Sequence, residues 1–317
     1  MDFSAFLNTI ITMFIILIVG YVLGKKDVIT KSASKNLSKL IISIGQPALI
    51  INSITTKPYS PENLKLALIS LLFAFVIHFV MAIISYFACI KIKDLNQRKI
   101  TEFAMVFGNI GFLGIPVLGA LFPENGAFVA SYFVVGFNIL LWIIGLGIIS
   151  RKRDDVKLTV KRVLINKGTV PSAIGFIIFL MPAVFPSFSL PSFATMSISY
   201  IASLCTPISM LIIGALLSRM AFKNIFSSWK IYYTCLFRLI IIPLFFCVVL
   251  KLLNFSEFWI LFVTAISSMP SASSTSMFAE LYDTAPEFSA QCVGTSSLLS
   301  LATMPCIILL AQMIIAL

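Results

Sequence analysis

The 317-residue chain is too apolar for a soluble domain, because 59% of its residues are hydrophobic and only 11% are charged. Long stretches without charge are typical of membrane-spanning helices. The net charge of +11 would also suit a protein that binds nucleic acid, so the positions of the basic residues decide what it means. Composition alone therefore predicts an all-α integral membrane protein with many spans.

Ten segments along the chain are long and apolar enough to be spans. A span needs about 20 residues, since a helix rises about 1.5 Å per residue and the hydrocarbon core is about 30 Å thick. Segments 1 to 10 are residues 4–24, 37–56, 64–90, 100–121, 127–149, 169–186, 195–217, 230–250, 258–280 and 288–314. Proline and polar residues interrupt segments 2, 6 and 7. Segment 1 has no basic residue before its apolar run, so it is expected to stay as a span rather than be cleaved as a signal peptide.

The basic residues lie mainly on one side of the predicted membrane. Eighteen of the 23 Lys and Arg residues fall in alternate loops beginning after segment 1, whereas Lys57, Lys65 and Lys251 fall on the other side. Cytoplasmic loops carry an excess of Lys and Arg. The pattern predicts that both termini lie outside and that loop 151–168 lies in the cytoplasm; the plasma membrane is the expected location. Topology accounts for the basic excess, so no nucleic-acid partner is expected.

Loop 151–168 divides the chain into two halves of five segments, residues 1–150 and 169–317. Because five is odd, a duplicated second half enters the membrane from the opposite side. Such an inverted repeat is typical of secondary transporters. The predicted fold is therefore ten transmembrane helices arranged as two inverted five-helix repeats.

Two pairs of prolines support the repeat. Pro47 in segment 2 corresponds to Pro207 in segment 7, which is 160 positions later. Pro116 in segment 4 corresponds to Pro270 in segment 9, which is 154 positions later. The two offsets agree within six residues, which supports a weak internal repeat.

Segments 4 and 9 contain the stretches least suited to a helix. These are "FGNIGFLGIP" at 107–116 and "SSMPSASSTS" at 267–276. Glycine and proline disfavour helix interiors, and in a membrane a broken helix survives only where it is buried in protein or lines a wet cavity. The pattern predicts that helices 4 and 9 are broken and cross at the repeat interface. The alternative is a pair of simple kinks held by interhelical contacts.

Polar side chains at the predicted breaks are candidate ligands. The amide of Asn109 and the hydroxyls of Ser271, Ser273 and Ser274 can satisfy freed backbone groups or bind a substrate. Asn138 in segment 5 is a further candidate substrate-binding residue.

The charges near the breaks favour an anionic substrate. Half-helices that begin near Pro116 and Pro270 would direct their positive N-terminal ends at the membrane midplane. No acidic side chain lies as deep; Glu280 is about 15 Å along a helix from Pro270. Arg238 in segment 8 could add positive charge, or it could instead snorkel or pair with Glu280. A neutral solute, or a cation held by unwound carbonyls, stays an alternative.

His78 lies near mid-depth in segment 3. An ionisable side chain at this position is a functional hypothesis by default. The alternative is a neutral histidine that is hydrogen-bonded in the core.

The motif "GNIGFLGIP" in segment 4 resembles the Asn-x-Gly-Phe-x-Gly-x-Pro signature of the auxin efflux carrier family, in particular its bacterial members. Other similar stretches are "PALI" at 47–50, "PISMLIIGALL" at 207–217, "LIIIP" at 239–243, "AELYD" at 279–283 and "SSLLSLATMP" at 296–305. They occur in the family's order over essentially the whole chain. The long central loop of the plant carriers is reduced here to 151–168.

This resemblance implies the ten-helix fold shared with bile acid/sodium symporters, with scaffold helices 1, 2, 6 and 7 and transport helices 3–5 and 8–10. It also implies a homodimer and alternating access of the elevator type. Relatives carry auxin in plants and are linked to malate, malonate and other organic anions in bacteria. By residue-to-residue match, Asn109, Gly111, Pro116 and Pro270 would line the crossover. A small organic anion is thus the expected substrate, with a proton or sodium ion as the candidate coupling ion.

Other classes of protein fit the sequence less well. A metal-dependent intramembrane enzyme would need clustered ligands, but the chain has one histidine and no neighbouring carboxylate or cysteine in its segment. No general base accompanies the serines, so no enzyme activity, metal or cofactor is expected. A channel would use the same midplane polar groups, and saturable counterflow would separate it from a carrier.

The topology is tested by cysteine labelling in intact cells. A cysteine replacing Lys161 should react only with reagent that reaches the cytoplasm, and one replacing Leu317 should react from outside, because the basic loops are cytoplasmic. Labelling of both positions from one side would contradict the five-plus-five arrangement.

Overall fold

The computed structural model of the protein describes residues 2–152, 165, 168–219 and 228–317. In these ranges the chain is helical and contains no strand beyond one isolated bridge. Seven of the described helical stretches are long and apolar enough to cross a membrane: Phe3–Lys25, Lys31–Ile54, Pro61–Ala88, Gly126–Ser150, Ser192–Ser218, Trp229–Leu252 and Pro286–Ala316. The chain is therefore a multi-span membrane protein.

Three shorter apolar helices, Ile110–Leu121, Thr169–Val184 and Glu257–Ser267, overlap predicted segments 4, 6 and 9. The seven long stretches overlap the other predicted segments. A count of ten spans in two inverted halves stays a prediction. Most of loop 151–168, with Lys161, lies outside the described residues.

The helices, labelled in chain order, have the following bounds. They are α1 Phe3–Lys25, α2 Lys31–Leu40, α3 Gln46–Ile54, α4 Pro61–Ala88, α5 Leu95–Val106, α6 Ile115–Leu121, α7 Gly126–Leu140, α8 Leu146–Ser150, α9 Thr169–Val184, α10 Ser192–Ser203, α11 Cys205–Ser218, α12 Trp229–Leu236, α13 Ile242–Leu252, α14 Glu257–Ser267, α15 Ser273–Leu281 and α16 Pro286–Ala316. Single π-helical turns lie at Ile41–Gly45, Ile110–Gly114, Leu141–Gly145 and Phe237–Ile241.

Three of these π turns end two residues before a proline, namely Pro47, Pro116 and Pro243. Proline has no N–H and its ring crowds the carbonyl four residues earlier, so it disrupts an α-helix. A π turn widens the helix by one residue and moves this carbonyl out of the way. The helix therefore continues through each proline instead of ending there.

Short polar side chains begin several helices. Asp2 accepts a hydrogen bond from the Ala5 N–H at 2.8 Å, and Asp94 accepts from the N–H groups of Asn96 and Gln97. These carboxylates satisfy N–H groups that have no partner inside the helix and lie at its positive end.

The described chain forms two compact units. The first unit comprises Met1–Ile77, Gly111–Ile143 and Asp155–Arg219. Within it, α1 packs along α11 at very short distance. A Cβ on Gly20 would lie 2.4 Å from the Leu211 carbonyl oxygen, and a Cβ on Gly214 would lie 2.0 Å from that of Leu17. Glycine at both positions lets the two backbones touch, as is common between membrane helices.

The second unit comprises His78–Ile110, Ile144–Asp154 and Met220–Leu317. Its long helix α16 packs against α5, α14 and α15. Phe103 of α5 lies 4.8 Å from Phe107 and 5.3 Å from Phe278, measured between ring centroids. Segments 8 to 10 belong to this unit and segments 1, 2, 6 and 7 to the first, while segments 3 to 5 contribute to both. The division into scaffold and transport helices stays a prediction.

A cluster of one buried carboxylate and two partly exposed arginines lies in the second unit. The Glu102 carboxylate, 1% exposed, accepts from Arg98 Nε at 2.8 Å and from both terminal nitrogens of Arg151 at 2.9 and 2.7 Å. Both guanidinium groups lie 5.3 Å from the Tyr86 ring centroid. The hydrogen bond from Arg151 to Glu102 raises the pKa of Arg151, so this guanidinium stays charged. The cluster ties α5 to the residue that follows α8.

Glu102→Gln should destabilise the protein. Two cations would face each other without a counter-charge; breaking a fully buried pair costs about 3 kcal/mol, and the partial exposure of both arginines reduces this loss. Thermal unfolding in detergent should show a clearly lower midpoint, whereas Glu124→Gln, at an exposed carboxylate, should leave it unchanged. An unchanged midpoint for Glu102→Gln would show that the cluster adds nothing to stability.

Candidate functional site

Helices in segments 4 and 9 are interrupted where their backbones pair. The Asn109 N–H donates to the Pro270 carbonyl at 2.7 Å, and the Ala272 N–H donates to the Phe107 carbonyl at 2.9 Å. Gly108 and Ser271 form the antiparallel bridge between these bonds. We call residues 107–109 and 270–272 the crossing; both stretches belong to the second unit.

The break in segment 4 lies earlier than the sequence suggests. Helix α5 ends at Val106, and Phe107 is extended with φ −102° and ψ 110°. Pro116 was expected to mark the break, but it is the second residue of α6 and follows a π turn. In segment 9 the break does lie at its proline, since α14 ends at Ser267 and α15 begins at Ser273.

Ser271 connects the crossing to its surroundings. Its hydroxyl donates to the Ala104 carbonyl at 3.0 Å, and its N–H donates to the Ser296 hydroxyl at 3.0 Å. The residue is fully buried. Ser271, predicted as a ligand, thus has its polar groups occupied by α5 and α16.

Arg238 lies fully buried beneath the crossing. Its Nε donates to the Met269 carbonyl at 2.8 Å, and its Nη1 donates to the carbonyls of Met105 and Val106 at 3.1 and 3.4 Å. Met105 and Val106 end α5, where helix carbonyls lack partners and carry partial negative charge, and Met269 lies two residues after the end of α14. The partners of Arg238 are backbone carbonyls; Glu280 is exposed. One guanidinium therefore caps two helix ends.

Gly108 provides the space for this guanidinium. A Cβ at Gly108 would lie 1.8 Å from Arg238 Nη2 and 2.8 Å from its Cζ. Arg238 could yield only by giving up its hydrogen bonds to the helix ends. The role of Gly108 could not be predicted from its neighbours in the sequence, because it depends on contact with Arg238 in segment 8.

Four buried polar atoms near the crossing have no hydrogen-bond partner among the described residues. They are Asn109 Nδ2, Arg238 Nη2, Ser274 Oγ and Thr275 Oγ1. The two nitrogens can only donate, and the two hydroxyls can donate or accept. Ser274 and Thr275 lie in the first turn of α15, whose N-cap residue Ala272 makes no side-chain capping bond. The set can therefore donate to an acceptor-rich ligand.

The remaining candidates are spread over both units. Ser273 begins α15 beside this set. Gly111 and Pro116 lie in the first unit. Asn138 also lies there, packed so tightly on Gly168 that a Cβ on that glycine would be 2.3 Å from the Asn138 side chain. Asn138 is thus involved in local packing within the first unit.

His78 is buried in the second unit and packs on the crossing. Its ring lies 5.6 Å from that of Phe107, between centroids. Met81, one turn further along α4, places its sulfur 3.3 Å from Arg238 Nη1. Within the described ranges, no group of three or more His, Cys, Asp or Glu side chains could hold a metal ion.

Comparisons with known proteins cover nearly the whole chain. A family profile described as "Membrane transport protein" matches residues 5–308. An uncharacterized transporter of Methanocaldococcus jannaschii is 28% identical over 285 residues, which is 87% of this chain and 89% of the relative. An uncharacterized transporter of Methanothermobacter thermautotrophicus is 23% identical over 314 residues, covering 96% and 98% of the two chains. The uncharacterized transporter YfdV of Escherichia coli K12 is 24% identical over 124 residues, or 38% of each chain.

The contact between Gly108 and Arg238 predicts coupled effects on stability. Gly108→Ala should lower the thermal midpoint, and Arg238→Met should lower it further, because three carbonyls lose a donor and the loss is about 3 kcal/mol. In an Arg238→Lys background, which removes the colliding Nη2, Gly108→Ala should cost much less.

A double-mutant cycle measures this coupling, since residues in contact give non-additive changes. Gly147→Ala is the matched control, because a Cβ there would meet nothing within 4 Å. Additive effects of Gly108→Ala and Arg238→Lys would contradict the assigned contact.

Proposed function

Because the chain belongs to the membrane transport protein family, that of the auxin efflux carriers, we propose that it is a secondary transporter of small organic anions, most simply of a carboxylate. The observation that carries the choice of an anion is the set of four unpartnered polar atoms at the crossing. The proposal includes alternating access between the two sides of the membrane, with the substrate held at the crossing.

The charge balance around the crossing supports an anion. Arg238 supplies a cation that opposes the negative ends of α5 and α14. The positive N-terminal end of α15 has no capping side chain and no neighbouring carboxylate to oppose it. Among the described acidic residues, Glu102 is held by two arginines, and Glu280 and Asp283 are exposed. A cationic substrate would therefore find no counter-charge.

The donors also suit a carboxylate in number and kind. Asn109 Nδ2 and the hydroxyls of Ser274 and Thr275 can each donate to a carboxylate oxygen. Hydrogen bonds to an ionised acceptor are about twice as strong as neutral ones. A water-poor site strengthens them further. Binding an anion here would satisfy groups whose burial without a partner is otherwise costly.

The orientation, the oligomeric state and the transport motion are proposed from the basic loops and from the resemblance to the auxin efflux carrier family. We propose both termini outside, a homodimer, and an elevator motion that carries the crossing between the two faces of the membrane. The coupling ion is proposed to be a proton or sodium. Each gradient is tested separately in the uptake experiment.

Purified protein in proteoliposomes tests the proposal. Malonate and malate should be taken up, should show saturable counterflow, and should compete with each other, whereas amines and sugars should not compete. Uptake is measured with and without proton and sodium gradients. An organic cation as the best competitor would overturn the anion assignment, and flux that never saturates would indicate a channel.

Asn109→Ala tests the site itself. Removing one donor to an ionised ligand should weaken uptake about tenfold through a higher KM. Asn96→Ala, at an exposed position on α5, is the matched control and should transport normally. Normal KM for Asn109→Ala would place the substrate elsewhere.

A further inference from the structure

The π turn before Pro116 contains two backbone carbonyls, those of Gly111 and Phe112, that could have bonded to an N–H at residue 116. In an α-helix the N–H of residue 116 would bond to the Phe112 carbonyl, and in a π turn it would bond to the Gly111 carbonyl. Pro116 has no N–H for either. A carbonyl without a partner inside a membrane is costly, so another donor is needed here.

Segment 7 supplies such a donor within the first unit. The Thr206 hydroxyl donates to the Phe112 carbonyl at 3.2 Å. Thr206 is the second residue of α11 and immediately precedes Pro207. The hydrogen bond that Pro116 removes is thus replaced from another segment.

Segment 2 reaches the same turn. The side-chain nitrogen of Gln46 lies 3.3 Å from the position that a Cβ on Gly111 would occupy. Gln46 begins α3 and immediately precedes Pro47. Gly111 leaves just enough room for this amide beside the turn.

Gln46 and Thr206 are equivalent by sequence. They are 160 positions apart, the same offset that relates Pro47 to Pro207. The residues just before them, Gly45 and Cys205, face each other, since a Cβ on Gly45 would lie 3.7 Å from Cys205 Sγ. Each half of the chain thus places one polar side chain, next to an equivalent proline, against one turn of segment 4.

From these contacts we infer that Gln46 and Thr206 are positioning residues that hold the Ile110–Gly114 turn and so orient α6. Neither belongs to the four unpartnered atoms at the crossing. They act on the broken helix and leave the ligand's own contacts unchanged. The inference rests on the proposed function only for its transport measurement.

Thr206→Val keeps the shape of the side chain and removes its hydroxyl. Backbone amide exchange in residues 113–119, measured by mass spectrometry, should become faster, because the turn loses a hydrogen bond. Maximal uptake should fall about tenfold with KM within about twofold of normal, as expected when an unsatisfied carbonyl disturbs a moving element rather than the site. Thr206→Ser keeps the hydroxyl, so its amide exchange and its maximal uptake should both be normal.

Gln46→Leu and Gly111→Ala test the second contact. Each should speed exchange in the same residues and lower maximal uptake, and combining them should add little, because both disturb one contact. Thr195→Val, at an exposed hydroxyl of α10, is the control. If Thr206→Val does not accumulate, Gln46→Leu tests the same turn.

Normal exchange in Thr206→Val and Gln46→Leu would overturn the inference. So would equal behaviour of Thr206→Ser and Thr206→Val, or a raised KM with unchanged maximal uptake. If the normal protein carries no carboxylate, the proposed function fails, and the exchange measurement alone then decides the role of Gln46 and Thr206.

Discussion

Backbone polar groups that lose their helical partners inside a membrane must find others, and this constraint organises the broken segments. Arg238 provides such partners in both broken segments, because its buried guanidinium donates to the last carbonyls of α5 and to the Met269 carbonyl, two residues after α14. At the crossing, two backbone hydrogen bonds between the broken segments replace lost helical ones. Water could do the same work only in an open cavity. Because the side chain of Arg238 is occupied by these carbonyls, Gly108 must lack a Cβ.

Much of the fold could be predicted from the sequence, because the length and charge of apolar runs report membrane spans directly. The long apolar helices coincide with predicted segments, and both broken segments were found from their glycines and prolines. The place of the break in segment 4 was wrong for a physical reason. Proline disrupts an α-helix but is tolerated after a π turn, and local composition does not reveal that widening.

The partners of buried polar residues were harder to predict than their positions. Arg238 was expected to meet a substrate, to snorkel or to pair with Glu280, yet its acceptors are carbonyls on two other segments. Ser271 was expected to bind a ligand, and its groups are used by Ala104 and Ser296. Carbonyl acceptors exist at every residue, so nothing in the residue types distinguishes the few that are freed by a helix break. The partners of these side chains can be predicted only once the residue at which each helix ends is known.

The polar residues near the broken helices form two groups. The donors of one group are mostly bonded within the protein, and those of the other group have no partner in the described chain. Arg238 donates to three backbone carbonyls, and Ser271 donates to one carbonyl and one hydroxyl, so both tie the crossing to its surroundings. Asn109, Ser274 and Thr275 keep side-chain donors without partners in the described chain, at the positive end of α15. Unsatisfied buried donors destabilise a protein in the absence of a ligand. These free donors lie beside a support whose other donors are mostly used by the protein, which is the arrangement expected of a binding site: rigidity limits the entropy lost on binding, and the free donors supply the affinity.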